Sequence, residues 1–277
     1  MVILKPVSTR KFKVGPDGFP CQMGDRQENS EQTAQPRGFE ALKIHTLEHK
    51  VDVALWTTRL LTIFFTLAYF IPLFGNPYNA YYKVLMANAA TSALRLHQRL
   101  PGVSFDREFL SRLLTEDSCH YLFYSLIFLY VAPVTFALMP VFLFSVIHFS
   151  SYSLTLLDLM GHNSWWGARL LISLVEFQSR NILRLIAFSE IFLMPYTVIL
   201  IFLGKAGLLT PFVYYHFLSQ RYNSQRNPYT RNMFHELRNA VEGMANKPNM
   251  PGMVRNALMS IVAFTCRLAP PQRPAQQ

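Results

Sequence analysis

The densest group of reactive side chains in this 277-residue sequence occupies residues 116–120, which read Glu-Asp-Ser-Cys-His. Glu116 and His120 are four residues apart, a spacing that puts a carboxylate and an imidazole on one face of a helix, as in some metal sites. A closed metal site needs further ligands from a second cluster, and the sequence shows none. Acids in the first turn of a helix also complement its dipole. We therefore predict a helix cap here, with a lipid-modifying enzyme that uses Glu116 and His120 as the disfavoured alternative.

Other signatures of catalysis are absent from the sequence. It contains no Gly-rich phosphate loop, no HExxH zinc motif, no GxSxG nucleophile elbow and no CxxC pair. Its cysteines, Cys21, Cys119 and Cys266, lie far apart, which argues against a disulfide framework. We expect a non-enzymatic protein that needs no cofactor and no metal.

A single acid, Glu190, interrupts an apolar stretch at 185–203. An ionisable residue inside a membrane segment is a candidate functional group whose partner should be named. We expect that partner to be Arg184, on the preceding turns, or a polar residue such as Asn88 from the segment 81–96. An acid–arginine pair that holds helices together is the favoured interpretation. A proton or ion path in a channel or carrier is the alternative.

Beyond residue 219 the chain becomes basic and aromatic, and apolar residues recur twice at helical spacing. Asn227 and Pro228 predict the start of one helix, and Pro251 begins a second. Basic amphipathic helices bind anionic membrane surfaces or partner proteins. Packing against the protein's own cytosolic loops is the alternative, and nucleic-acid binding is disfavoured because no fold motif supports it. The candidate binding residues are Arg231, Phe234, Leu237, Arg238, Val241 and Met244 in the first helix, and Val254, Arg255, Leu258 and Ile261 in the second.

The composition shows what kind of structure must position these groups. Only 15% of the residues are charged, against about a quarter in a soluble domain, and 51% are hydrophobic. The apolar residues concentrate in blocks at 53–74, 121–157 and 185–203. Since about twenty residues cross a bilayer core of about 30 Å, we predict an all-α, multi-pass helical membrane protein. Its net charge of +10 favours anionic partners, including anionic lipids.

The second block is too long for one crossing, with 37 residues free of Lys, Arg, Asp and Glu. Pro133 and Pro140 lie in its middle, where proline removes a backbone donor and clashes with the preceding turn. The simplest interpretation is a helical hairpin that bends at 132–140. One long kinked helix is the alternative.

The basic residues predict the topology. Eight Lys or Arg precede Val53 and nine follow residue 204, so the positive-inside rule places both ends in the cytosol and requires an even number of crossings. The first block, the two arms of the hairpin and the third block give four crossings. The segments 81–96 and 208–218 would raise the number to six. Six crossings would place the basic loop at 99–118 in the cytosol, so the charges slightly favour six. We divide the chain into a disordered polar tail (1–45), a transmembrane helical domain (46–219) and a basic amphipathic cytosolic tail (220–277).

Several strings in the sequence resemble the transmembrane protein 33 family, whose relatives include yeast pore-membrane proteins. The resemblance covers roughly residues 47–270. The strings that carry it lie at 87–89 and 91–101 (ANA and TSALRLHQRLP), 116–122 (EDSCHYL), 190–195 (EIFLMP), 226–229 (RNPY) and 236–238 (ELR).

The resemblance implies a multi-pass protein of the endoplasmic reticulum and nuclear envelope without catalytic activity. It implies roles in nuclear pore assembly or distribution, in shaping the tubular reticulum beside reticulon-type proteins, and in stress signalling from that organelle. For the C-terminal helices it implies membrane binding and contact with nucleoporins or a nuclear import receptor. The usual assignment of three crossings in this family conflicts with the even number favoured by the charges.

Overall fold

The predicted all-α, multi-pass architecture is confirmed by the computed structural model. The structure describes residues 38–71, 75–100, 102, 106–161, 165–224, 226–248 and 250–270, and within these ranges it contains α-helices and no strand. The helices are α1 (Phe39–Glu48), α2 (Lys50–Phe70), α3 (Pro77–Arg99), α4 (Arg107–Thr115), α5 (Asp117–Leu129), α6 (Leu138–Met160), α7 (Trp166–Ile172), α8 (Ser179–Phe202), α9 (Leu209–Tyr222), α10 (Tyr229–Ala245) and α11 (Gly252–Leu268).

Three of the helical stretches within the described ranges are long and apolar enough to cross a membrane: α2, the run Thr135–Met160 that contains α6, and α8. The remaining long helix, α3, has 23 residues, but its polar residues keep it outside this set. The helices α5 and α9 have 13 and 14 residues, fewer than the roughly twenty that a full crossing needs. On its own, α5, the first arm of the predicted hairpin, is therefore shorter than a complete span.

The bend inside the second apolar block is present. Helix α5 ends at Leu129 and α6 begins at Leu138, with Pro133 between them and Pro140 in the first turn of α6, where its missing N–H costs little. The Tyr124 hydroxyl donates to the Ala137 carbonyl at 2.6 Å, across the bend. The single kinked helix is excluded, because the two arms are separate helices.

Neighbouring helices of the bundle run antiparallel. In each pair, residues later in one helix contact residues earlier in its neighbour. The contacts that show this are Thr58–Thr91 and Asp52–Gln98 (α2 with α3), Asn88–Ser125 and Arg99–Glu116 (α3 with α5), Tyr121–Phe217 and Asp117–Arg221 (α5 with α9), and Trp56–Ser153 and Tyr69–Thr135 (α2 with α6). Helix α9 turns back along α8 after the loop at 203–208, so that Arg221 meets Glu190.

The short helix α5 lies at the centre of the bundle. Its apolar contacts are made by fully buried aromatic side chains, and the ring centroids of Tyr124 and Phe217 lie 5.2 Å apart. Within lipid, such close packing and interhelical hydrogen bonds supply the stabilisation, because lipid tails are as apolar as the side chains. The position of α5 brings its first turn, with Asp117 and Tyr121, against α9 and α6.

The predicted boundary of the N-terminal tail needs correction. Residues 1–37 lie outside the described residues, but helix α1 begins at Phe39, within the segment predicted to be disordered. The His45 ring accepts or donates a hydrogen bond with the Tyr152 hydroxyl of α6 at 3.2 Å. Helix α1 therefore begins six residues before the predicted boundary at residue 45.

Candidate functional site

The carboxylate of Glu190 is fully buried near the middle of α8. It accepts hydrogen bonds from the Arg221 Nε at 3.1 and 3.3 Å, from the Thr230 hydroxyl at 3.0 Å and from the Tyr121 hydroxyl. These donors come from α9, α10 and α5. Because buried charges are tolerated only when they are paired and hydrogen-bonded, this arrangement accounts for an acid inside an apolar helix.

Arg221 links this acid to a second one. Its Nη1 donates to Asp117 Oδ1 at 3.3 Å, and the Ser224 hydroxyl donates to the same oxygen at 2.8 Å. The guanidinium also lies 5.3 Å from the centroid of the Tyr121 ring, a cation–π distance. An arginine between two carboxylates keeps its charge when buried, because their negative charge compensates for the lost water. We call these six residues the Glu190 cluster: Asp117, Tyr121, Glu190, Arg221, Ser224 and Thr230.

The predicted partners of Glu190 are wrong, although an acid–arginine pair is present. Arg184 donates instead to Glu236 of α10 at 2.7 Å, in a half-exposed salt bridge. It lies six residues before Glu190 on the same helix, and at about 100° per residue this spacing points the two side chains to different faces. Asn88 donates to the Ser125 hydroxyl at 2.7 Å, one turn along α5 from Tyr121.

A second ion-pair site lies at the start of α5. The Glu116 Oε2 accepts from Arg99 of α3 at 2.7 Å and from Arg226, which follows α9, at 2.6 Å. The His120 Nε2 lies 2.8 Å from the Leu114 carbonyl, so the ring is turned toward the backbone at the end of α4. Since Glu116 is occupied by two arginines, it does not face His120 as a metal ligand. In the described part of the chain, no group of three or more metal-ligating side chains comes together.

The first C-terminal helix, α10, packs on the bundle. The Asn227 side chain accepts from the Tyr229 N–H at 3.2 Å, which is the predicted cap with the helix starting one residue later. Of the candidate residues, Arg238 pairs with Glu242 of its own helix at 2.7 Å. The apolar stripe faces the protein, so the structure favours the packing interpretation for α10. Phe234, Leu237 and Val241 are half-buried, as is Arg231, and Met244 is exposed.

The second C-terminal helix, α11, is different, because none of its residues is buried. Leu258 and Val262 are half-buried beside α10, whereas Met253 and Phe264 are 87% and 63% exposed. The helix is tethered at its end, where the Tyr215 hydroxyl of α9 donates to the Leu268 carbonyl at 2.8 Å. The predicted residues Val254, Arg255 and Ile261 are all exposed.

Comparison with protein families now decides the identity of this bundle. The sequence model of the family described as Transmembrane protein 33/Nucleoporin POM33 matches residues 34–271. The chain belongs to this family. The match begins before α1 and includes α10 and α11, so the transmembrane protein 33 fold contains both the bundle and the C-terminal helices.

Similar curated proteins cover nearly the same region. Krueppel homolog 2 of Drosophila melanogaster is 54% identical over 231 residues, which are 83% of each chain. Transmembrane protein 33 of Homo sapiens is 46% identical over 237 residues, 85% of this chain and 96% of the human one. The Transmembrane protein 33 homolog of Caenorhabditis elegans is 39% identical over 84% of this chain and 87% of its own. No solved structure matches the chain.

These findings make the protein a membrane protein of the transmembrane protein 33 family, with three candidate spans in its described residues. None of the names of these relatives denotes a reaction. The chemistry of the Glu190 cluster agrees with a structural role, because the acid and the arginine satisfy each other.

Sequence reasoning placed none of the five other members of the Glu190 cluster beside Glu190. Arg221 is separated from Glu190 by 31 residues and from Asp117 by 104. One feature of the sequence did point to Arg221. It comes three residues after the apolar segment 208–218, as a basic residue at the end of a membrane helix. Helical spacing alone does not pair residues on different helices, so Arg184 was the nearer and mistaken choice.

Proposed function

We propose that this protein organises the membrane of the endoplasmic reticulum and nuclear envelope by inserting α11 into the cytosolic leaflet. The observation that carries the proposal is the exposed apolar face of α11. It consists of Met253, Val254, Ile261, Phe264 and Leu268. A helix with one apolar face and basic residues beside it, here Arg255 and Arg267, lies in the membrane interface and enlarges one leaflet.

The attachment of the C-terminal helices supports a mechanical role for that insertion. Helix α10 is held by the hydrogen bond from Thr230 to Glu190 and by the salt bridge from Arg184 to Glu236. The end of α11 is held by Tyr215. Helix α11 is therefore held at its start through α10 and at its end by Tyr215. When it inserts into the leaflet, it stays next to the transmembrane helices.

The assignment to the nuclear envelope and to nuclear pore assembly or distribution rests on the family name, which includes Nucleoporin POM33. Shaping of the tubular reticulum, reticulon-type proteins, nucleoporins and an import receptor as partners, and regulation of reticulum stress signalling are parts of the same proposal and rest on resemblance. We do not propose a channel, because the oxygens of Glu190 are occupied by three donors.

The orientation is also part of this proposal: both ends of the chain lie in the cytosol. The helices α2, α3, α5, α6, α8 and α9 alternate in direction along the chain. This alternation supports six crossings of the membrane region, in the antiparallel pairs α2–α3, α5–α6 and α8–α9. The even number also agrees with the basic residues at both ends.

Insertion of α11 is testable in the full chain reconstituted into lipid vesicles. With Cys21 and Cys266 replaced by serine, Phe264→Cys labelled with an environment-sensitive fluorophore should be quenched by nitroxides on the lipid tails. The matched control keeps the native Cys266, with Phe264 unchanged and Cys21 replaced by serine. Cys266 is exposed and lies on the opposite side of α11 from Phe264, so it should be quenched much less. Equal quenching of the two labels, or quenching of neither, would contradict the proposal.

The shaping activity should depend on the same face. Changing Ile261 and Phe264 to glutamate removes two large apolar side chains from the membrane, at about 1.5–3 kcal/mol each, and shifts α11 toward the detached state by about 100-fold or more. We expect the vesicles or the reticulum to lose the tubular shape that the unchanged protein produces. Cys266→Glu, on the opposite side of the helix, should retain it. Normal tubules with the double variant would remove α11 from the mechanism.

A further inference from the structure

Two arginines, Arg59 of α2 and Arg95 of α3, lie inside the bundle without an acidic partner. Arg59 is 6% exposed and Arg95 is half-buried. A hydrogen bond of 2.9 Å joins Thr58, next to Arg59, to Thr91, one turn before Arg95, and so brings the two arginines to one level of the bundle. Within the described ranges, neither forms a salt bridge or a side-chain hydrogen bond to another residue. We propose that Arg59 and Arg95 form a binding site for a phosphate group, either of a membrane lipid or free in solution.

The reason is the energy of an unpaired buried charge. A guanidinium cannot lose its proton in a protein, and removing it from water costs several kcal/mol unless an anion compensates. The acid closest to the two arginines is Asp52, which already accepts from Gln98 at 3.0 Å and lies 3.7 Å from His49. The bundle therefore supplies two positive charges at one place and too little negative charge to balance them.

The position of the pair fits a headgroup. Helical side chains lean toward the N-terminus of their helix, so the Arg59 side chain points to the end where α2 begins. Arg95 lies one turn before Arg99 at the end of α3, on the same side of the bundle.

Arg59 is 6% exposed and Arg95 is half-buried, so neither arginine is completely enclosed by the described residues. Phosphate oxygens match the fork of a guanidinium and form two charge-assisted hydrogen bonds with it. Two arginines from facing helices can then share one phosphate and join α2 to α3.

The test is thermal unfolding of the full chain in detergent with dioctanoyl phosphatidic acid, with inorganic phosphate, and with no anion. We expect phosphatidic acid to raise the unfolding temperature of the unchanged protein. Arg59→Gln should raise the midpoint of this titration at least tenfold, and the double variant with Arg95→Gln should abolish the response. Arg180→Gln changes an exposed arginine on α8 and should respond like the unchanged protein.

The titration with inorganic phosphate decides whether the site binds a lipid headgroup or a free anion. An equal response to inorganic phosphate identifies a free anion, and a response to the lipid alone identifies a headgroup. The variant with Ile261 and Phe264 changed to glutamate should respond normally, which separates this site from lipid binding by α11. If neither anion shifts the unfolding temperature, or if the arginine double variant responds fully, the site does not exist.

One further variant guards against failure to fold. Arg59→Lys keeps the charge but loses the fork, so it should fold and respond to phosphatidic acid more weakly than the unchanged protein. In the absence of any anion, Arg59→Gln should unfold at a higher temperature than the unchanged chain, because it removes an uncompensated charge. A lower unfolding temperature for Arg59→Gln without anion, together with an unchanged response of Arg59→Lys, would overturn the proposal.

Discussion

Replacing Arg221 by leucine should lower the free energy of unfolding by about 3–5 kcal/mol, because it leaves the buried carboxylate of Glu190 without its counter-charge. Arg221 and Glu190 are 1% and 0% exposed, so water cannot replace the lost partner. Only the hydroxyls of Tyr121 and Thr230 would remain as donors to Glu190. The measurement is unfolding of the reconstituted protein by a denaturing detergent, followed by helical circular dichroism.

A matched control lies on the same helix as Glu190. The salt bridge between Arg184 and Glu236 also joins α8 to α10, but its side chains are 52% and 46% exposed. Surface pairs of this kind contribute about 0–1 kcal/mol, so Arg184→Leu should have little effect. Equal losses for Arg221→Leu and Arg184→Leu would show that the Glu190 cluster is not what holds the C-terminal helices.

A compensating change distinguishes a lost charge balance from lost packing. When Glu190→Gln accompanies Arg221→Leu, both charges of the buried pair are removed together, and a substantial part of the stability should return. Single and double variants then form a cycle whose interaction free energy measures the coupling. If the double variant were as unstable as Arg221→Leu, packing of the Arg221 side chain would account for most of the lost stability.

Loss of Arg221 should also loosen the C-terminal helices. Ser224 and Thr230 join the cluster from the segment that leads into α10, so the cluster connects this segment to α5 and α8. We expect faster protease cleavage at 223–228 in Arg221→Leu than in the unchanged protein. The cleavage rate of Arg184→Leu should stay close to that of the unchanged chain.

The elements that the sequence predicted well are those specified by local patterns. The apolar blocks at 53–74 and 185–203 correspond to α2 and α8, and the bend at 132–140 lies where two prolines made a continuous helix costly. Asn227 accepts from the backbone at the start of α10, as a cap residue should. Each of these features depends on residues within a few turns of one another.

Contacts between distant segments were predicted poorly, for a physical reason. An apolar stripe shows that one face of a helix is covered, but not by what, so Phe234 and Val241 looked like membrane contacts although they face the bundle. The partner of Glu190 was likewise chosen from its own helix. Hydrogen bonds across 31 to 104 residues depend on the packing of α5, α8 and α9, which no local pattern specifies.

The number of membrane crossings depends both on local patterns in the sequence and on contacts between distant helices. Helices α5 and α9 have 13 and 14 residues, which at 1.5 Å each give about 20 Å, short of a bilayer core of about 30 Å. A short or polar helix is tolerated at membrane depth when protein surrounds it, since its polar groups then meet protein and not lipid. Seven of the 13 residues of α5 are buried. We therefore expect α3, α5 and α9 to return the chain through the interior of the bundle.

In sealed microsomes, a membrane-impermeant maleimide should consequently label both ends of the chain and leave the loop at 203–208 unlabelled until detergent is added. Gly207→Cys is a suitable probe, because a side chain there meets open space. The accessible control is a chain that keeps the exposed native Cys266 of α11, with Gly207 unchanged and Cys21 replaced by serine. In the Gly207→Cys chain, Cys21 and Cys266 are both replaced by serine. A tag before residue 38 should share the accessibility of Cys266, in an all-or-none contrast with Gly207→Cys. Labelling that places the N-terminal tag and Cys266 on opposite sides would mean an odd number of crossings, and with it three spans in place of three antiparallel pairs.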